Sequence, residues 1–338
     1  MLNPVANGSM HAVHIPMAIP PESMQIIVIQ AAAYKETTAK ELIRKSAGPM
    51  LATVLLAMAS PMAAAQWMAG STVEAVHNDN VTHSPLPEDV LSDNSVEVAL
   101  WRSLHVQLAD YTSLQLQGTL TRHQFQHFGG LSSTSLSGSA EFSHKFGVGA
   151  EIPVLSFTTL IERSLFNDSN RNRSLYSGGL ALRQRIQDEW QWSVTAVYER
   201  QAGDYGPAAA VYTPAGPKPG NVWDLASWQL ALKAEWDLSA SSWLAATVSY
   251  RDGDIVATTH PYLEVLEVSS DVAMDATFGN GMIAYRLKAT SYSFALDWNH
   301  ALGASSTLYL GAERQWSRGA NDLVYQTGII RGGFLHNF

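Results

Sequence analysis

The stretch Trp190-Gln191-Trp192-Ser193-Val194-Thr195-Ala196-Val197-Tyr198 decides how this chain folds. Every even position is apolar or aromatic, and the odd positions are polar except Val197. A strand sends successive side chains to opposite faces, so a repeat of two gives one greasy face and one wet face, whereas a helix needs a repeat of 3.6. The pattern returns in 228–237, where Trp228, Leu230, Leu232, Ala234 and Trp236 alternate with Gln229, Lys233, Glu235 and Asp237, broken only by Ala231. It returns again in 244–251 and 292–299, and less perfectly in 66–75, 96–106, 114–125, 134–146, 154–161, 175–186, 307–316 and 323–338. These segments predict twelve strands, with a range of ten to fourteen.

The connections carry the next step. Five are short (109–111, 147–149, 187–189, 239–241, 303–305) and alternate with mostly longer polar or Pro/Gly-rich ones (77–94, 127–133, 163–173, 201–222, 253–280, 317–321). Short turns at one end and long loops at the other predict an all-β fold, a transmembrane antiparallel up-and-down β-barrel with both termini at the short-turn end. Closure satisfies every backbone hydrogen bond in lipid, which an open sheet does not. Trp67, Trp190, Trp236, Trp298 and Trp316 fall at segment ends, where a ring that is apolar but carries an N–H suits the water–hydrocarbon boundary. A soluble β-sandwich also alternates, but needs neither an aromatic rim nor alternating loop lengths. The count is least secure in 253–280, whose Val256, Tyr262, Leu263, Val265, Leu266 and Val268 fit an external hairpin, an ordered lid, a docking surface or two further strands.

The chain ends in Phe338, with Phe334, Ile330 and Val324 on the same parity and His336 departing from it. This resembles the C-terminal signature of Gram-negative outer-membrane β-barrel proteins. The resemblance is generic, spans the mature chain in pattern, and implies that the last strand is read by the barrel-assembly machinery.

Composition narrows the class further. The 338 residues carry 15% charged and 46% hydrophobic residues, a net charge of −9 and no Cys. An acidic chain lacks the basic surface that nucleic-acid binding requires, and without thiols there are no disulfides, thiolate metal sites or Cys nucleophiles. Residues 42–65 read as a secretory signal peptide: Arg44 and Lys45 precede an apolar run over 47–59, and Ala63 and Ala65 are the small residues a signal peptidase accepts before Gln66. Residues 1–41 read as an extension ahead of the true start, leaving 66–338 as the barrel. The expected location is the outer membrane of a Gram-negative bacterium, and no Cys follows the cleavage site to carry a lipid.

If the greasy parity faces lipid, the other parity lines a lumen rich in small hydroxyls, among them Thr119, Thr121, Ser135, Ser137, Ser139, Ser156, Thr158, Ser193, Thr195, Thr247, Ser249 and Ser293. Twelve strands lie between filled eight-stranded barrels and open sixteen-stranded porins, so small lining residues favour a narrow watery space. Arg183, Arg185 and Lys233 fall at one depth and, with Glu235 and Asp297, form a candidate constriction. They read either as a weak anion-attracting ring or as ion pairs with Glu235, Asp237 or Asp297.

Catalytic templates find little purchase: there is no His-Glu-x-x-His, Gly-x-Ser-x-Gly or phosphate-cradling loop. Outer-membrane phospholipases use a Ser/His/Asn group on a lipid-facing wall, but the lipid-parity His144, His300 and His336 lie near the short-turn end and no His-x-Ser-Asn-Gly is present. His123, Glu162 and Glu199 read as solvated rim groups. The eleven His show no ligand spacing, and the loop around Asp168 has one carboxylate and two Arg where calcium needs acceptors. No enzyme, metal or cofactor is therefore expected. The function expected is a narrow, weakly selective passive channel for small hydrophilic solutes, with outer-membrane lipids and the assembly machinery as partners and the oligomeric state undetermined. The alternative is a non-enzymatic outer-membrane part of an export or surface-assembly system for polysaccharide or a surface protein.

Overall fold

The computed structural model describes residues 65–204, 211–213, 216–218 and 221–338. Twelve antiparallel strands close into a barrel: β1 (Ala65–Asn78), β2 (Asp93–Ala109), β3 (Thr112–Phe125), β4 (Ser133–Lys145), β5 (Val154–Phe166), β6 (Arg173–Gln187), β7 (Trp190–Gly203), β10 (Leu225–Ser239), β11 (Ser242–Thr259), β13 (Ile283–Ala301), β14 (Ser306–Gly319) and β15 (Val324–Asn337). Each pairs with the next in chain order, β11 pairs with β13, and β15 returns to β1 from Gly70↔Asn337 to Asn78↔Ile329. Three short strands lie outside the wall: the β8 (Val211–Thr213) and β9 (Gly216–Lys218) hairpin, and β12 (Asp271–Met274), which adds to β13 beside helix α1 (Leu263–Val268). The signal-peptide and extension readings lie outside the described residues, except Ala65, which opens β1 opposite Val106.

The two parities separate as alternation requires. Leu136, Ile161, Leu180, Leu232 and Ile330 are exposed on the outer wall, while the hydroxyl parity faces the lumen. Register aligns the rim aromatics: Tyr198 faces Trp228; Tyr250, Tyr292 and Trp316 are successive cross-strand partners; and Trp228 meets Tyr250 diagonally with ring centroids 5.1 Å apart. At the opposite end Trp190 stacks on Trp236 with centroids 5.4 Å apart. Trp190 and Tyr198 bracket eight residues of strand, about 27 Å at ~3.4 Å per residue, or roughly 21 Å along the normal after a ~40° tilt. That matches the apolar band of an outer-membrane barrel.

Bulky lumen residues lie flat on the wall where a neighbour is glycine. Trp101 covers Gly70, where a Cβ would stand 2.5 Å from the indole, and Tyr309 covers Gly333, where it would stand 2.3 Å from the phenol oxygen. These glycines keep the two rings out of the lumen centre.

The segment 253–280 supplies neither further barrel strands nor a plain loop. β11 and β13 run on past the aromatic row, and 255–259 pair with 283–287 to form a flap above the wall. Val256 belongs to this extension, and Val265 and Leu266 to α1. Both flap faces are covered. Ile255, Ala257, Ile283, Tyr285 and Leu287 cluster with Val265 and Val272, while Val256 and Ala284 cluster with Val222 and Trp223.

Candidate functional site

The candidate site is the lumen, and its charges are of mixed sign. Glu74, Glu97, Glu141, Glu162 and Lys145 come from β1, β2, β4 and β5, whereas Arg173, Arg183, Arg185, Glu199, Lys233, Glu235, Asp237 and Arg251 come from β6, β7, β10 and β11. Acids prevail over β1–β5, and arginines interleaved with acids over β6–β11. Hydroxyl pairs knit the wall between them: Ser135 with Ser164 (2.9 Å), Ser143 with Ser156 (2.7 Å), Ser249 with Ser293 (2.8 Å) and Ser291 with Ser317 (2.6 Å). Glu74, which accepts from the Tyr309 hydroxyl at 2.8 Å, was missed in the sequence because that part of β1 breaks the alternation.

At the short-turn end the register Arg183↔Ser193↔Lys233 puts Arg183 and Lys233 level, two strands apart. Lys233 Nζ meets Glu235 at 2.7 Å, and Gln191 Nε2 donates to the same carboxylate at 2.7 Å. Arg185 lies 3.5 Å from Asp237 and donates to the Asp188 carbonyl. Asp297 instead pairs with Arg331 at 2.7 Å, so it is not joined to the Arg183 group. Arg183 makes no ion pair among the described residues; with Glu141, Lys145 and Asp110 it lines a cavity of about 320 Å³. Ile330 and Phe334 are exposed on β15, with Phe338 just beyond it.

The other end is roofed. The β1–β2 connection, residues 79–92, folds over the lumen and is held by buried polar groups. Asn80 Nδ2 donates to the Gln326 carbonyl (2.9 Å), Thr258 N donates to the Thr82 carbonyl (2.8 Å), and His260 donates through N to Asp89 (2.8 Å). Within this loop His83 takes φ +49°, uncommon for a residue with a Cβ. Its imidazole is held below the usual histidine range, first by burial and then by the Arg251 charge.

The β12–β13 turn fastens the roof to the opposite rim. Buried Asp275 accepts from Arg171 Nη2, from Thr258 Oγ1 (3.0 Å) and from Thr277 N (3.3 Å). Thr277 Oγ1 donates to Asp168 (2.9 Å). The Arg171 guanidinium lies 4.3 Å from the Trp223 ring and 5.3 Å from that of Phe278, so its charge is paired in plane and stacked on a face. Phe128 meets Phe278 at 5.0 Å. The Asp168 loop, dismissed for calcium, thus anchors this clasp. Among the described residues no group of His, Asp and Glu has metal-holding geometry. Beneath the roof lies a cavity of about 360 Å³.

The lipid-parity histidines share one arrangement. Each Nδ1 meets a hydroxyl on the next strand: His144 with Thr112 (2.9 Å), His300 with Ser242 (2.7 Å) and His336 with Ser306 (2.9 Å). Each also packs on a ring two residues away, Phe146, Trp298 and Phe334 respectively. A repeat at three hairpins fits a rim fixture, in which a half-polar ring sits at the membrane boundary. His123 bonds Ser95 (2.9 Å), with neither Glu162 nor Glu199 as its partner.

No family model matches the chain, and no curated protein matches it in sequence. Its backbone is similar to that of an outer membrane channel from Pseudomonas putida F1, at 12% identity and TM-score 0.51, covering 80% of this chain and 95% of that one. Weaker likenesses include the KdgM porin in complex with disordered oligogalacturonate (8% identity, TM-score 0.41, 79% and 99% covered) and the outer membrane channel DcaP of Acinetobacter baumannii (6% identity, TM-score 0.40, 82% and 98% covered). The fold is that of an outer-membrane β-barrel.

Proposed function

We propose that this protein is a passive, narrow and weakly selective channel of the outer membrane for small hydrophilic solutes, without enzymatic activity. The observation that carries the reading is the lumen itself, a twelve-stranded wall lined with small hydroxyls and with acidic and basic groups interleaved. Mixed charges hold a polar solute without favouring one sign strongly, and the Lys233–Glu235, Arg185–Asp237 and Arg331–Asp297 pairs cancel much of the local charge. The clasped roof makes the long-loop end the narrow one. In this reading the Arg183, Arg185, Lys233 and Glu235 group, with Asp297 level with Glu235 two strands further along the wall, tunes passage at the other end. Outer-membrane lipids contact the aromatic rows, and the β15 residues Ile330, Phe334 and Phe338 are the assembly signal. Cleavage near Ala65 precedes insertion.

The test is single-channel conductance of the protein extracted from outer membranes into planar bilayers, over a series of salt concentrations. Steady steps proportional to salt are expected. Silence from a demonstrably folded barrel overturns the channel reading and favours a component of an export or surface-assembly system.

A further inference from the structure

We infer that the cavity beneath the roof is a binding site for a small hydroxylated carboxylate. The inference deepens the channel reading above, and rests on it for the route by which such a solute reaches the cavity. Four buried or half-buried polar groups at this one place want a partner and find none adequate among the described residues. Tyr325 is only 2% exposed, lines the cavity, and its hydroxyl has no hydrogen-bond partner among the described residues. Gln201 lines the same space, and its buried Oε1 has no hydrogen-bond partner among the described residues. Arg173 makes no hydrogen bond or ion pair among the described residues; its guanidinium rests on the Phe166 ring at 4.8 Å, and Glu162, the acid nearest it in effect, holds Ser164 instead. Arg251 spends one N–H on the Asp254 carbonyl at 2.9 Å and forms no ion pair among the described residues. A folded chain rarely leaves several buried polar groups unsatisfied at one place unless something else fills it.

The chemistry of the occupant follows from what is offered. Two guanidiniums and a phenol hydroxyl are donors suited to an anion, and guanidinium pairs well with a planar carboxylate. Asp254, the carboxylate that lines the cavity, is already engaged by Lys288 Nζ (3.0 Å) and Ala226 N (2.9 Å), so it does not neutralise the arginines fully. Gln201 Oε1 is an acceptor and calls for a hydroxyl on the same molecule. Trp223, Leu225 and Ile255 supply apolar wall for a carbon skeleton, which bare inorganic phosphate does not have. A volume of about 360 Å³ suits a molecule of monosaccharide-acid size.

The test is isothermal titration of the detergent-solubilised outer-membrane protein with sodium gluconate, and in parallel with glucose and with sodium phosphate. Gluconate is expected to bind one site, with glucose at least tenfold weaker and phosphate weaker than gluconate. Tyr325→Phe removes a hydroxyl that has no partner to lose, so this variant keeps its fold, checked by heat-modifiable gel mobility, and is expected to lose roughly tenfold in gluconate affinity. Arg173→Gln is expected to lose more. Absence of gluconate heat, equal binding of glucose, tighter binding of phosphate, or unchanged affinity in both variants overturns the inference. Conductance in potassium chloride, measured on the same preparation, keeps the two readings apart. A conducting channel without a gluconate titration sinks this site alone, and a silent barrel that titrates gluconate sinks the channel alone.

Discussion

The barrel wall between the aromatic rows and the roofed region above it are built from the same strands by different rules. In the wall, β11 and β13 bury one face: Val248, Phe294 and Leu296 are exposed to what would be lipid, while Ala245 and Ala295 face inward and are buried. Past the aromatic row the same strands bury both faces, and Ala257, Thr258, Thr259, Ala284 and Tyr285 are all at most 2% exposed. The wall needs hydrocarbon as its second layer; the roof brings its own, from α1 on one flap face and Trp223 on the other. Insertion into lipid and closure of the outer mouth are therefore separable, and each can be broken without the other.

Asp275→Ala should break the roof most severely. It removes the close acceptor of a buried guanidinium and leaves Arg171 only the longer Asp168 contact at 3.9 Å and the Thr277 hydroxyl at 3.2 Å, a loss of up to about 3–5 kcal/mol for such a site. Hydrogen exchange over 260–282 should accelerate by orders of magnitude and unitary conductance should rise, while heat-modifiable gel mobility stays that of a closed barrel. An unchanged roof would mean that the apolar clusters, not the Asp275 clasp, hold it.

Gly253→Ala strikes the junction of the two regions. Gly253 has φ +153°, and a Cβ there would lie 2.4 Å from the Ala226 carbonyl oxygen and from Ser227 Cβ. The cost is on the order of 2 kcal/mol from backbone strain, with the close approach added. Exchange should rise in 254–259 and 283–287, and not in the lipid-facing part of β11.

How much of this was legible in the sequence follows from the same contrast. The twelve wall strands and their short turns could be read because one face meets lipid and the other water, which writes the repeat of two directly into residues such as 190–198. The flap could not, because a strand buried on both faces loses that repeat: Ile255-Val256-Ala257 and Ile283-Ala284-Tyr285 are continuous apolar runs. The Arg183, Arg185 and Lys233 depth was legible from hairpin register alone. The Arg171–Asp275 clasp was not, since its partners lie 104 residues apart and no local spacing joins them.

Acidification should act on the roof and spare the wall. His83 is buried with its pKa depressed, so the docked loop binds fewer protons than the undocked one across the interval below the ordinary histidine value near 6.5. Docking free energy from this group is fully present above that value and is lost as pH falls through it toward the depressed one. Exchange of residues 79–92, corrected for its intrinsic pH dependence, should increase between pH 7.5 and 5. His83→Gln should flatten that increase, and an unaltered pH response in this variant would mean that His83 is not the group responsible.

The smallest effect is expected at the short-turn end, from replacing Arg183 and Arg185 with Ser together. Of the two, Arg185 is already balanced by Asp237 at 3.5 Å and anchored on the Asp188 carbonyl, so its removal frees a carboxylate as it deletes a cation. Arg183 has no ion-pair partner among the described residues and shares its cavity with Glu141 and Lys145. Most of the change in lumen potential should therefore come from Arg183, and salt screening over ~8 Å at physiological ionic strength limits its reach. The reversal potential in a salt gradient should move toward cations by a few millivolts, and Arg183→Ser alone should give most of that shift. Equal shifts from the two single variants would mean that the Arg185–Asp237 pair is open in the conducting channel, which would make this end, like the roof, a place where the lumen rearranges.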